Sequence, residues 1–140
     1  MMLTQNRLGR TELTVSNLCF GTGGLTNGPD ADTEQGKETA RRTVRAIFDG
    51  PARFIDTSRI YGRGRREQRI GEVIRERGGL PQGFLIATKL DLDFETRRFD
   101  GAAARRSLEA SIKALGVDHF HVLHLHDPEF IDDPEDITGP

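Results

Sequence analysis

Short apolar runs alternate with segments of helical periodicity along the chain. The apolar runs lie at residues 18–22, 53–56, 84–89 and 121–126, and they predict four strands. Between them, apolar residues recur every three or four positions, which predicts three helices. Strands that alternate with helices favour right-handed β-α-β units and a parallel sheet. Residues 129–140 have no periodicity and are expected to form an irregular tail.

Capping residues predict where the helices begin and end. Asp32 and Thr33 are candidate N-caps of the first helix, which stops at Gly50, and Asp100 caps the third helix, which ends at Gly116. The second helix ends at glycines 78 and 79. The apolar positions that define the expected buried faces are Ala40, Val44, Ile47 and Phe48, then Ile70, Val73 and Ile74, then Ala104, Leu108, Ile112 and Leu115. Two α/β architectures fit this order, an open doubly wound sheet and part of a β/α barrel.

Composition narrows the class of protein. The chain has 140 residues, with 20 Lys and Arg against 22 Asp and Glu, which excludes a strongly basic nucleic-acid binder. Its one cysteine, Cys19, excludes an intramolecular disulfide framework and favours a reduced compartment. No apolar run approaches the roughly 20 residues of a membrane-spanning helix. We therefore expect a soluble cytoplasmic domain without a nucleic-acid or membrane partner.

Polar residues stand at the ends of three predicted strands. Asp56 ends the second strand, Lys89 the third and His126 the fourth, while Tyr61, the only tyrosine, follows Asp56 by five residues. Parallel α/β folds bind ligands at the carboxyl ends of their strands, so these four side chains are expected to lie together. Taken singly, each is equally well explained by a turn, a helix cap or solvated surface. All four residues at the same end of consecutive strands indicate a catalytic site more specifically than any one of them does.

These residue types together suit proton transfer to a carbonyl oxygen. Asp56 and Lys89 are expected to pair, because an unpaired buried charge costs several kcal/mol. The ammonium group favours the phenolate form of Tyr61, so the tyrosine can give a proton to a substrate oxygen and later take it back. A neutral His126 on the next strand can hydrogen-bond the same oxygen and orient the carbonyl group.

The segments that carry these residues resemble the aldo-keto reductase family. They are LGRTELTVSNLCFGTGGL at 8–25, FIDTSRIYGRGRREQRIGEVI at 54–74, ATKLD at 87–91 and RRSLEASIKALGVDHFHVLHLHDP at 105–128. The family's D-T-x-x-x-Y-G, T-K and final L-H-x-P are matched in order. Within the family, FGTGGL, TKLD and LHLHDPE are most similar to the aldose (fucose-type) and pyridoxal dehydrogenase branches.

The resemblance implies a (β/α)8 barrel and NAD(P)-dependent hydride transfer between a nicotinamide and a small carbonyl, sugar or alcohol substrate. It implies that Asp56, Tyr61, Lys89 and His126 are the catalytic tetrad. In those roles Tyr61 is the general acid and base, Lys89 tunes it, Asp56 holds Lys89 and His126 orients the substrate.

The resemblance also implies the cofactor contacts. Gly21, Thr22 and Asp56 match the family segments near the nicotinamide ribose, and NADP or NAD is the expected cofactor. Two residues depart from the family pattern. Arg66 stands where the family often has a serine that would cap the second helix, and arginine is an unfavourable N-cap. Arg59 lies near the expected substrate mouth, where it either favours an anionic substrate or is solvated.

Two other kinds of site are not favoured by the residues. All four histidines lie between His119 and His126, but on a strand His124 and His126 share one face while His121 points to the other. No second cluster completes a four-ligand zinc shell, so no metal site is expected. The segment FGTGGL is not the G-x-G-x-x-G dinucleotide fingerprint.

The chain is short for the barrel that the resemblance implies. A complete barrel has eight strands and about 250 residues, whereas the sequence supplies four strands after a short N-terminal hairpin. We expect a partial domain over residues 1–140, truncated or split, with exposed sheet edges that promote self-association and with little activity by itself. Two functions stay open: an oxidoreductase that is active in full-length or paired form, and a non-catalytic half-barrel remnant or interaction module. The intact tetrad favours the first.

Overall fold

A computed structural model of the chain describes residues 3–25, 28–93 and 99–130. Its elements are β1 (Gln5–Arg7), β2 (Thr14–Ser16), β3 (Phe20–Gly21), α1 (Glu34–Asp49), β4 (Phe54–Asp56), α2 (Arg65–Glu76), β5 (Leu85–Leu90), α3 (Gly101–Leu115) and β6 (Val122–Leu125). A 3-10 turn at Pro128–Phe130 follows β6. The irregular tail predicted at 129–140 lies mostly outside the described residues. In the described part of the chain, no helix is long and apolar enough to cross a membrane.

The order of the parallel strands decides between the two predicted architectures. β1 and β2 form the antiparallel N-terminal hairpin, while β3, β4, β5 and β6 form a parallel sheet in chain order. Phe20 pairs with Ile55, and Ala87 pairs with Val122. Doubly wound sheets reverse their strand order at a switch point, whereas a barrel adds strands in sequence. The unbroken order is that of one arc of a β/α barrel.

The predicted helix boundaries follow from caps that the structure contains. Thr33, rather than Asp32, is the N-cap of α1, and its hydroxyl accepts a hydrogen bond from the Gly36 amide at 3.1 Å. Asp100 caps α3 by accepting from the Ala103 amide at 2.8 Å. Gly116 ends α3 with a φ of 69°, a left-handed conformation that glycine adopts without strain.

One apolar core joins the first two helices to the sheet. Phe48 of α1 and Phe84, just before β5, pack edge to face with ring centroids 4.9 Å apart. The rest of this core is built from fully or almost fully buried aliphatic residues: Val44, Ile47, Ile55, Ile70, Val73, Ile74, Ile86 and Leu115. The core therefore fixes β4 and β5, which carry Asp56 and Lys89 at their carboxyl ends.

The structure corrects the predicted buried face of the third helix. The periodicity predicted that Ala104, Leu108 and Ile112 face the core together with Leu115. Helix α3 does bury Leu115, but its other buried residues stand one position earlier in each turn: Ala103, Ser107 and Ser111. Small side chains are needed on this face because α3 approaches α2 closely. A Cβ atom on Gly71 of α2 would lie 2.1 Å from the Ala114 carbonyl oxygen. The predicted spacing of three or four residues between buried positions was correct, but the first three positions were each placed one residue too late.

Two further predictions are wrong in detail. The first predicted strand, 18–22, pairs only at Phe20 and Gly21, and Leu18 is 49% exposed, because this edge strand has a two-residue ladder with β4. Arg66 is not an N-cap. The N-cap of α2 is Gly64, two residues earlier than position 66, and Gly64 has a φ of 84° and makes no side-chain cap.

Candidate active site

Lys89 and Asp56 form an ion pair at the carboxyl ends of neighbouring strands. Lys89 Nζ donates to Asp56 Oδ2 at 2.6 Å and to the Thr57 carbonyl oxygen at 2.8 Å. The side chains of Lys89 and Asp56 are 14% and 27% exposed. The two hydrogen bonds fix the ammonium group at the rim of the sheet, as the sequence predicted from the cost of an unpaired charge.

Tyr61 lies against this pair in the loop that follows β4. Lys89 Nζ is 4.9 Å from the centroid of the tyrosine ring. The Tyr61 amide donates to the Ser58 carbonyl oxygen at 3.1 Å, which closes the turn that presents the ring. A cation over a tyrosine ring is attracted to its π face, so Lys89 both holds the ring and places positive charge beside it.

His126 completes the group from the end of β6. Its ring meets that of Tyr61 edge to face, with centroids 5.7 Å apart. Its amide donates to the Leu90 carbonyl oxygen at 3.0 Å, which ties the residue to the end of β5. The structure thus brings all four predicted tetrad residues to one end of the sheet.

Three residues at this end were not assigned to the site from sequence. Asp91 and Ser58 contact His126 Nδ1, at 2.5 Å and 3.1 Å. Arg66, noted only as a poor cap, has its guanidinium carbon 5.9 Å from the centroid of the Tyr61 ring, and burial lowers its pKa. The available signal was spacing. Ser58 and Asp91 each stand two residues after a tetrad member, where an extended chain returns to the same face.

Gly21 and Thr22 differ in what they offer a cofactor. Gly21 is exposed, pairs in register with Asp56 and has no atom within 4 Å of the position of a Cβ. Thr22 is 2% exposed, and its hydroxyl donates to the Asp56 carbonyl oxygen at 3.0 Å. Gly21 therefore offers an accessible backbone surface, and Thr22 positions β3 against β4. Both line a cavity of about 830 Å³.

A buried carboxyl group lies behind the site. Glu67 of α2 is fully buried and accepts from the Thr88 hydroxyl at 2.7 Å. Burial raises its pKa above the ordinary value of 4.5, and the charge of Asp91 adds to the rise.

Arg59 lines a cavity of about 540 Å³ with Glu67, Gln68 and residues of α3. Arg59 thus lies against the helices.

Two other histidines, His119 and His121, lie with their rings 4.9 Å apart and have polar partners of their own. His121 Nδ1 accepts from the Ile86 amide at 3.3 Å, and partial burial lowers the pKa of its ring. His119 contacts Asp118 at 2.5 Å on the surface. Within residues 3–25, 28–93 and 99–130, no three His, Cys, Asp or Glu side chains gather to hold a metal ion.

Residues 17–139 match the model of the Aldo/keto reductase family. Over 131 residues the chain is 34% identical to an uncharacterized oxidoreductase of Bacillus subtilis (strain 168), an alignment that covers 85% of this chain and 38% of that protein. It is 33% identical over 125 residues to L-galactose dehydrogenase of Arabidopsis thaliana, with 88% and 38% covered. The chain thus spans little more than a third of the length of these curated relatives.

Solved structures give the same likeness. A thermostable aldo-keto reductase in complex with the inhibitor epalrestat superimposes with a TM-score of 0.75 at 25% identity, covering 91% of this chain and 44% of that one. An aldo-keto reductase of Bombyx mori in complex with NADP superimposes with a TM-score of 0.71, covering 97% and 41%. The second pair is 24% identical, so it shows the fold alone.

Proposed function

Because the chain belongs to the aldo/keto reductase family, we propose that it supplies the acid–base centre of an NAD(P)-dependent oxidoreductase that interconverts a small carbonyl compound or sugar and its alcohol. One observation carries the proposal. The Lys89 ammonium group is held by Asp56 at 2.6 Å and lies 4.9 Å from the centre of the only tyrosine ring. Placed together with His126, these are the groups that proton transfer to a carbonyl oxygen needs.

Each member of the tetrad has a distinct task in the proposed reaction. Tyr61 donates its phenolic proton to the substrate oxygen as the carbonyl is reduced, and it takes the proton back when an alcohol is oxidised. Lys89 stabilises the negative charge left on the phenolate. Asp56 holds Lys89 in place, and His126 hydrogen-bonds the substrate oxygen.

The residues present fit the nicotinamide end of NADP or NAD. The exposed backbone of Gly21 has open space at the Cβ position, so a flat ring can approach it without a side chain in the way. Asp56 lies in register beside it and uses one carboxylate oxygen on Lys89. Gly21, Thr22 and Asp56 thus form the proposed cofactor-binding corner, where Thr22 acts through its bond to the Asp56 carbonyl. The bound nicotinamide supplies or accepts the hydride.

The described residues leave two sheet edges at β3 and β6. Leu123 and Leu125 on β6 are 42% and 38% exposed, and an unpaired apolar edge strand is a template for pairing with another chain. We propose that the 140 residues self-associate and turn over little substrate by themselves. Sedimentation at rising protein concentration is expected to show species larger than a monomer, and Leu123→Glu is expected to reduce them.

The proposal places the protein in the cytoplasm and includes no nucleic-acid or membrane partner. The near balance of 20 basic and 22 acidic residues supports this view, as does the single cysteine.

A chimeric barrel tests the function. The chain replaces the 131-residue aligned segment of the Bacillus subtilis relative, and nicotinamide absorbance is followed with a panel of aldehydes, ketones and sugars. The unmodified relative is the matched control, and the 140-residue chain is assayed beside it. We expect the chimera to turn over a carbonyl or alcohol substrate. A chimera that folds and binds NADPH without turnover contradicts the proposal and favours the non-catalytic module.

A further inference from the structure

The ring of His126 is held from one side by two buried polar residues. Nδ1 lies 2.5 Å from Asp91 Oδ1 and 3.1 Å from Ser58 Oγ. The side chain of Asp91 is 2% exposed, that of His126 is 11% exposed, and Ser58 is fully buried. The other ring nitrogen, Nε2, has Asp127 Oδ1 at 3.8 Å, which is beyond hydrogen-bond distance.

Counting protons assigns the one on Nδ1. An ionised carboxylate only accepts hydrogen bonds, so a contact of 2.5 Å with Asp91 requires a proton on Nδ1. The Ser58 hydroxyl then has Asp91 Oδ1 as its acceptor at 3.4 Å, and it accepts from the Ile60 amide at 3.3 Å. Three donor protons thus serve three hydrogen bonds, to Asp91 from Nδ1 and from Ser58 and to Ser58 from Ile60, and the Ser58 oxygen at 3.1 Å from Nδ1 is a second, weaker neighbour of the same N–H.

The same geometry excludes a hydrolase triad. In a Ser-His-Asp triad the serine contacts Nε2 and the aspartate contacts Nδ1, so that the imidazole relays a proton between them. Here Ser58 and Asp91 contact the same nitrogen. The pair is therefore a support for the ring, and Nε2 is left for another molecule.

Both members of the support are fixed by the fold. The Asp91 amide donates to the Ser107 hydroxyl of α3 at 3.1 Å. Asp91 follows Lys89 by two residues, so its side chain lies on the same side of the strand end. Ser58 belongs to the turn that holds Tyr61. The orientation of the His126 ring and the position of Tyr61 thus depend on the same group of buried contacts.

We propose that Asp91 is a positioning residue that holds His126 as its Nδ1–H tautomer and directs Nε2 toward the substrate oxygen. The part of this inference that concerns the substrate oxygen rests on the proposed function, whereas the tautomer does not. In the neutral ring Nε2 is an acceptor, which matches the hydroxyl of an alcohol substrate. In the cationic ring Nε2 is a donor, which matches a carbonyl oxygen, so with this tautomer it is the cationic ring, and not the neutral ring expected from the sequence, that hydrogen-bonds a carbonyl group. The bond to Asp91 is made in both states.

Long-range proton–nitrogen NMR on the ¹⁵N-labelled 140-residue chain tests the tautomer directly. The spectrum is taken where the rings are neutral, and His126 is assigned among the four histidines by its loss in His126→Gln. We expect the Nδ1–H pattern for His126, together with a downfield Nδ1 proton. An Nε2–H pattern in the parent chain overturns the proposal. The tautomer itself is read from the parent chain, and the His126→Gln variant serves only to assign the signal.

Asp91→Ala tests the cause. We expect the Nδ1 proton resonance to disappear and the ring to change to the Nε2–H form, while Asp93→Asn, the matched control two residues away, leaves both unchanged. The carboxylate of Asp93 pairs with Arg106 at 2.8 Å instead. An Asp91→Ala spectrum with the parent pattern also overturns the proposal.

Turnover gives a second measurement. In the chimeric barrel, Asp91→Ala is expected to lower kcat about 10- to 100-fold, the range that is typical when a metal-bound histidine loses its carboxylate partner, with the KM for the nicotinamide unchanged. An unchanged kcat overturns the role of Asp91 in turnover. If the parent itself shows no turnover, the proposed function fails, and the NMR result still decides whether Asp91 holds the ring.

Discussion

Replacing Gly71 by alanine is expected to destabilise the protein, although alanine is the better helix former. Gly71 lies where α2 meets α3, and an added Cβ would be 2.1 Å from the Ala114 carbonyl oxygen and 2.9 Å from Leu115 Cα. Both neighbours are backbone atoms, so they cannot rotate away. Ordinary contact begins at 3.4 Å, and the helices must therefore separate by about 1 Å or tilt.

Two opposing effects set the size of the change. Inserting a methyl group into a packed contact costs about 1–3 kcal/mol, while the gain in helix propensity is about 1 kcal/mol. Because the added methyl group meets backbone atoms at 2.1 and 2.9 Å, the cost lies at the upper end of its range, and the net loss is about 2 kcal/mol. With an m-value of about 1–3 kcal/mol per molar urea, the midpoint of urea unfolding is expected to fall by about 0.7–2 M.

Circular dichroism and the fluorescence of the single tyrosine both follow the unfolding, since the chain has one Tyr and no Trp. Gln68→Gly and Gln68→Ala are the matched controls, because Gln68 is exposed on the same helix. This pair measures propensity without a clash, and the alanine variant should be the more stable by about 1 kcal/mol. A Gly71→Ala midpoint equal to or above that of the parent would refute the close packing.

Two further predictions concern titratable groups. Burial raises the pKa of Glu67 above 4.5, so the folded protein binds this proton more tightly than the unfolded chain and loses stability as the pH rises through the raised pKa. Glu67→Gln keeps an acceptor for Thr88 and should reduce the difference between urea midpoints near pH 4 and near pH 8; an unchanged difference is evidence against this origin. Desolvation of the Cys19 thiol and the nearby carboxylate of Asp56 raise the pKa of this thiol from 9.0 to about 11, which lowers its thiolate fraction near pH 8 about 100-fold. Because a thiolate of higher pKa is also the better nucleophile, alkylation by iodoacetamide should be about 10-fold slower than in urea-unfolded chain, and comparable rates would contradict the shift.

The sequence was sufficient for features that depend on local chemistry. Thr33, Asp100 and Gly116 end helices because their side chains or backbone conformations satisfy the terminal amide and carbonyl groups. Asp56 and Lys89 end adjacent parallel strands, and their charges require each other. Such features need no knowledge of distant packing.

The rest depends on contacts between elements, which periodicity does not report. The face of α3 is set by contacts with two elements, α2 at Gly71 and the end of β5 at the Asp91 amide, so Ser107 is buried and Leu108 is only half-buried. Asp91 becomes part of the site only because β6 brings His126 beside the end of β5. Arg66 lies within α2, whose N-cap is two residues earlier than expected, and from there its guanidinium group lies over the Tyr61 ring.

The central claim is that Tyr61 exchanges a proton with the substrate oxygen during nicotinamide-dependent turnover. The most direct test compares kcat for the parent chimera and its Tyr61→Phe variant, which keeps the ring against Lys89 and removes only the hydroxyl. We predict a fall in kcat of about 10²- to 10⁴-fold, the usual contribution of a general acid, with unchanged NADPH binding and unfolding midpoint. A kcat within a few-fold of the parent would contradict the account.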